Sequence, residues 1–245
     1  MPTILESIRN RVAAEWLQAG LMGETIAVTA GPLTVEEAIG KPQQTDFPIQ
    51  KGKEKLMQAH FRSERGQAFT DHYGTYSGTL QQVADLPLNC NFHRAVFVST
   101  MNAVMRWQQR TSNTIHCKDC GPQECAAELP EFIRRNYGTP RITLIGMQPA
   151  MASAVTTAQL PLRIVDLDPD NIGQIRYSVQ IEGAETAAEA LEWAELLLIT
   201  GTTLANDTIG ELAEQADRKP VLFYGTTIAG AASLMGWQRY CPKSS

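Results

Sequence analysis

The sequence predicts an α/β protein: a Rossmann-like, doubly wound parallel sheet domain over residues 91–245, preceded by a smaller α+β domain over residues 1–90. Three observations lead there. The chain has 245 residues, more than one typical domain of ~150 and fewer than two. After residue 140, short aliphatic runs alternate with helical segments. Residues 141–145, 162–165, 196–199 and 221–224 are such runs, ending at Gly146, Asp166, Gly201 and Gly225. That rhythm argues parallel strands covered on both faces by right-handed crossovers. Before residue 90 the pattern is different: runs at 56–61 and 68–70 flank a turn at 63–66, which reads as an antiparallel hairpin.

The elements follow in order. Thr3 and Glu6 form a capping box, and Leu5, Ile8, Val12 and Trp16 recur at helical spacing until Gly20. Residues 25–29 read as a strand stopped by Gly31 and Pro32. Residues 40–52 read as a loop, and Lys51, Lys53 and Lys55 as a solvated loop and strand edge. Residues 78–86 predict a short helix. Residues 92–107 are apolar almost all round, which predicts a buried helix between the two domains; its Asn102 faces the cleft or is a satisfied core amide. Ile175, Tyr177, Val179 and Ile181 alternate as one weak strand. Residues 185–194 are helical, and Thr208 with Glu211 forms another capping box.

Composition excludes several functions. Hydrophobic residues make up 43% and charged residues 19%, a globular balance. Lysine plus arginine is 21 against 26 aspartates and glutamates, a net charge of −5, so no general attraction to nucleic acid is expected. No apolar run approaches the ~20 residues of a membrane helix. The first residues lack the apolar core of a secretory signal, so the cytoplasm is expected.

The five cysteines are an odd number, and three of them fall in one run, His116-Cys117-Lys118-Asp119-Cys120-Gly121-Pro122-Gln123-Glu124-Cys125. A C-x2-C turn brings two sulfurs together, as soft-metal chelation needs. His116, Cys117, Asp119, Cys120 and Cys125 are the candidate ligands for a transition or heavy metal, with distant Cys90 and Cys241 as options for a further one. Pro122 suits the start of a helix, whose dipole, with Lys118, is expected to favour the Cys125 thiolate. A redox or reactive thiol, or reduced structural cysteines, stay open.

Two strands end in the same tripeptide, Gly201-Thr202-Thr203 and Gly225-Thr226-Thr227. As parallel neighbours they would face one sheet edge, where open α/β sheets bind ligands. With Gly146, Asp166 and Asn206 they are the candidate cofactor residues, for a small anionic molecule or a nucleotide-like ligand. Tight turns and caps are the plainer alternative. Gly146-Met147-Gln148-Pro149 is not a dinucleotide fingerprint.

The run HCKD-x-x-P-x-x-CA, the later ITGTTLANDT, and the upstream GQAFTD, YGTYSGTL and MNAVM resemble a family of uncharacterised proteins labelled for heavy-metal chelation. The family pattern falls on His116, Cys117, Asp119, Pro122, Cys125, Gly201, Thr202, Thr203 and Asn206; Cys120 departs from it. The resemblance implies an N-terminal domain similar to the enolase N-terminal fold, a Rossmann-like C-terminal domain, and a site between them. The leading expectation is a metal-binding protein. The alternative is an enzyme acting on a nucleotide-like or S-adenosylmethionine-like ligand. A homo-oligomer is left open.

Overall fold

Helix α1 (Ile4–Gln18) opens on the expected capping box: the Thr3 hydroxyl accepts from Glu6 N, and the Glu6 carboxylate accepts from Thr3 N. It buries Leu5, Ile8, Val12 and Trp16. The computed structural model describes residues 2–29, 33–42 and 46–245; Gly31 and Pro32, expected to stop the first strand, lie outside them. Strand β1 (Thr25–Thr29) is followed by the short helix α2 (Val35–Ile39). Strands β2 (Lys55–Phe61), β3 (Glu64–Thr70) and β4 (Thr75–Thr79) complete an antiparallel sheet of order β3-β2-β1-β4.

The hairpin turn is tighter than the sequence suggested. Phe61 pairs with Glu64, so only Arg62 and Ser63 turn, and Glu64 to Gly66 belong to β3. Residues 78 and 79 are strand rather than helix; α3 (Leu80–Ala84) starts after Thr79, which forms a capping box with Gln82. Here β1 supplies a pairing edge that local helix propensity does not register.

Helix α4 (Asn91–Trp107) is buried without interruption from Ala95 to Met105. It lies on β2 and β3 and touches two helices of the second sheet's layer, α8 (Thr202–Ala205) and α10 (Ala229–Met235). The contact with β3 is backbone to backbone: a Cβ on Gly66 would collide with Ser99 O and Ala103 N.

Helix α5 (Gly121–Tyr137) leads into a seven-stranded sheet. Its strands are β5 (Ile142–Ile145), β6 (Leu162–Val165), β7 (Ile175–Arg176), β8 (Val179–Glu182), β9 (Leu196–Thr200), β10 (Val221–Tyr224) and β11 (Arg239–Tyr240), in the order β11-β10-β9-β5-β6-β8-β7. Every pairing is parallel except β7 with β8. Helices α6 (Pro149–Thr157), α7 (Ala187–Trp193), α9 (Ile209–Glu214) and α10 connect the strands. Alternation divides the sheet between two cores. Leu197, Ile199 and Phe223 face α4, whereas Leu196, Leu198 and Leu222 join Leu129 and Ile133 of α5.

Two local expectations fail for identifiable reasons. The alternation at 175–181 is a hairpin, because Tyr177 and Ser178 both take positive φ (52° and 63°) and turn the chain back. No Asn-Gly or Asp-Gly announces that turn. Thr208 does not cap α9: its ψ of 3° is outside the extended region that aims a cap side chain at the helix, and its side chain makes no cap bond. Among the described residues no helix is long and apolar enough to cross a membrane.

Candidate functional site

The carboxyl ends of β5, β6, β9 and β10 open into a cleft of about 880 Å3, closed on the other side by residues 47–54, the end of β3 and the loop before α5. Three walls differ in chemistry.

The sheet-edge wall contains both Gly-Thr-Thr turns. They are neighbours, as β9 pairs with β10 in parallel and Gly201 N donates to Tyr224 O. Gly146, Gly201, Thr202, Thr203, Asn206, Gly225 and Thr227 line the cleft, while Thr226 is buried in the core and does not. Gly146 has φ 85°, and a Cβ there would lie 2.6 Å from Thr200 Cγ2, so the turn requires glycine. The hydroxyls already serve the fold. Thr203 donates to Thr200 O (2.8 Å), Thr202 shares a bond with the Thr200 hydroxyl (3.2 Å), and Thr227 accepts from Phe69 N (3.0 Å). Asp166 likewise accepts from Met147 N and Asp168 N, both at 2.7 Å, and so holds its own loops together. Asn206 differs: its Oδ1 is buried with no hydrogen-bond partner among the described residues. Asn102 is a core amide. It donates to the carbonyls of Gln67, Thr226 and Thr227 and accepts from Gly230 N at 2.7 Å.

The second wall carries sulfur. His116, Cys117 and Cys125 line the cleft together with Cys241, which follows β11. Cys241 lies close enough to raise the pKa of both other thiols, and Cys117 raises that of Cys125. Burial is the larger cause, and it pushes Cys117 and Cys125 each up to about 12. The expected thiolate at Cys125 is therefore corrected: desolvation outweighs the helix end and Lys118. His116 is held neutral, its pKa lowered to about 4 by burial against the Phe69 ring. Its Nδ1 meets the Cys117 carbonyl at 2.6 Å. A carbonyl only accepts, so Nδ1 carries the proton and Nε2 the lone pair.

Cys120 and Asp119 do not line the cleft. Cys120 is exposed, and its thiol is hydrogen-bonded to Glu124. Asp119 fastens the loop to α2: its N–H donates to Ile39 O, and its carboxylate accepts from Lys41 N, each at 2.9 Å. Among the described residues no group of three or more His, Cys, Asp or Glu side chains is already placed to hold a metal ion.

The third wall is acidic. Glu54, Asp71, Asp166 and Asp168 face one another across the cleft, and burial and these like charges push Glu54 up to about 7. Lys53 does not neutralise Glu54, being spent on Asp168 and Asp170 at 2.6 Å each. With Asp207 and Glu211, six carboxyls and one lysine line the cleft among the described residues. A field of that sign works against a small anionic ligand such as phosphate.

Residues 131–235 match the DUF364 family, described as "Putative heavy-metal chelation". The DUF364 match takes in the sheet from β5 to α10 and leaves His116, Cys117, Cys125 and Cys241 outside it. Two solved DUF364 proteins of unknown function share the fold. The one from Pyrococcus horikoshii is 10% identical with a TM-score of 0.55, covering 91% of this chain and 79% of its own. The one from Desulfitobacterium hafniense is 12% identical with a TM-score of 0.50, covering 74% and 72%. No match to the chain was found among curated proteins.

Sequence reasoning did not reach Glu54, or Lys53 as an ion-pair partner, and it named Cys241 only as a distant option. Asp71, at the end of the GQAFTD run, was a weak cleft candidate together with His72; Asp71 lines the cleft and His72 does not. Glu54, Lys53 and Cys241 belong to no local motif; each is brought in by strand pairing or loop closure.

Proposed function

We propose that the protein binds a soft metal ion as cargo, at the corner of the cleft formed by Cys117, Cys125, Cys241 and His116. The observation that carries this reading is that the Cys241 thiol, from after β11, comes close to the two thiols of the 116–125 run, beside an imidazole whose Nε2 carries its lone pair. Thiolate sulfur with imidazole nitrogen is a donor set for zinc, copper(I) and heavier soft ions. The thiols stand protonated, so binding requires them to lose protons and close on the ion. Asp119 and Cys120 are left out of the set because they serve the loop and the helix start.

The test is metal analysis of anaerobically purified protein, native against Cys117→Ser with Cys125→Ser, and separately against Cys241→Ser. We expect metal in the native protein, loss in the double variant, and strong reduction in Cys241→Ser. Equal and negligible metal in all three would remove the reading.

A second reading, an organic ligand at the sheet edge, draws on strand order. From β8 through β6, β5, β9 and β10 to β11, the third, second, first, fourth, fifth and sixth parallel strands stand side by side. That order supports a Rossmann-like, doubly wound description, whose crevice lies between its first and fourth strands. The antiparallel sheet with its helices is compatible with the enolase-like description of residues 1–90, and α4 would then be the wall shared with residues 91–245. The acidic lining favours a positively charged S-adenosylmethionine-like ligand over a nucleotide phosphate. Thermal shift checks this: stabilisation by S-adenosylmethionine and none by ATP is expected, and the reverse order would discard it.

A further inference from the structure

Glu54 is the cleft group that the metal reading does not use. It sits at the foot of β2, lines the cavity, and makes no hydrogen bond or ion pair with another of the described residues. Its neighbours deny it one. Lys53 is turned to Asp168 and Asp170, Asp166 is committed to two backbone amides, and Asp71 accepts from Asn91 Nδ2 at 2.6 Å. The buried Tyr224 hydroxyl, which also feels the Glu54 charge, donates to Gly146 O at 2.9 Å. The lining of the same cavity also includes the apolar Ile145, Met147, Val165 and Leu191. An unpartnered acid among other acids, in a roomy apolar cleft, lacks a positive charge.

We infer that this end of the cleft takes a small organic cation, an ammonium group on an apolar body, and that Glu54 is the carboxyl that meets the charge. The step is a proton exchange: as the ammonium ion enters, the Glu54 O–H gives its proton to solvent, and the carboxylate left behind pairs with the ligand's N–H groups. Nothing is oxidised, and no bond to carbon changes. Asp166, Asp71 and Asp168 supply the surrounding negative potential, and the apolar wall removes the ligand's body from water. Burial keeps Glu54 protonated up to about pH 7 when the cleft holds no cation, so capture of a cation is linked to pH. The inference deepens the second reading of the cleft and does not depend on the thiols.

Three probes of matched shape test it on metal-free protein by NMR titration at pH 5, 6, 7 and 8: benzylamine, benzyl alcohol and benzoate. Benzylamine should bind most tightly. Its affinity should rise toward about tenfold per pH unit between pH 5 and 6 and level off above 7, as expected for release of one proton. Benzyl alcohol should show no such slope, and benzoate should bind least. Glu54→Gln should lose the slope and about tenfold of benzylamine affinity at pH 7, while Glu54→Asp should keep the slope. Repeating the titration with the Cys117→Ser, Cys125→Ser double variant separates this inference from the metal reading, because benzylamine binding should survive there. Equal affinity for all three probes, no binding of benzylamine, or an unchanged slope in Glu54→Gln would overturn it.

Discussion

Burial acts on Glu54 and His116 in opposite senses, and stability follows each. Glu54 rises from 4.5 to about 7, so the folded state holds its proton more tightly than the unfolded chain does. That advantage is complete below pH 4.5 and is lost as pH climbs to about 7, at a cost on the order of 3 kcal/mol. Glu54→Gln removes the loss. Urea unfolding should show the variant more stable than the native protein at pH 8 and indistinguishable near pH 4. His116 falls from 6.5 to about 4. Its contribution is present above pH 6.5 and is lost as pH drops through about 4, again on the order of 3 kcal/mol. His116→Gln should flatten the acid limb of the stability curve over that window, read by the same unfolding series.

Helix α4 is the element on which both sheets depend. Its Asn102 spends both ends of its amide on Gln67, Thr226, Thr227 and Gly230. Asn102→Ala would strand those buried backbone groups, and a loss of about 3 kcal/mol is expected by denaturant unfolding. Gly66→Ala should cost at least as much, because the added methyl meets the backbone of Ser99 and Ala103 rather than a movable side chain. The burial of α4 was legible in its unbroken apolar run, and the four central parallel strands in their aliphatic stretches. The hairpin of β7 and β8 was not, because its turn is made by Tyr177 and Ser178 at positive φ, with neither the Gly, Asn nor Asp that such a turn favours. Thr208 shows the converse: the residue types of a capping box were present, and the backbone did not adopt the conformation that uses them.

For the molecule as a whole, the segment carrying Phe47 and Ile49 reaches across to the second sheet through charges. Lys53 joins Asp168 and Asp170, and Asp46 joins Arg176 at 3.6 Å. Lys53→Ala should leave the melting temperature nearly unchanged while hydrogen exchange quickens in residues 46–54; unchanged exchange there would mean that apolar packing alone holds the segment. The candidate site was only half legible for the same reason. His116, Cys117 and Cys125 stand in one short run, and the repeated Gly-Thr-Thr marks the sheet edge. Glu54 and Cys241 reach the cleft from remote parts of the chain, one through the start of β2 and the other after β11, and no spacing rule links them to the rest.

Strand β11 pairs with β10 over only Arg239 and Tyr240 at the rim of the large sheet. A rung that short frays ahead of the interior strands. If an ion is held as proposed, each opening of that rung would withdraw the sulfur at 241 and leave only the donors at 116, 117 and 125. On that reading, release of the cargo is tied to the breathing of two residues, and tightening the rung would slow it without touching a single ligand.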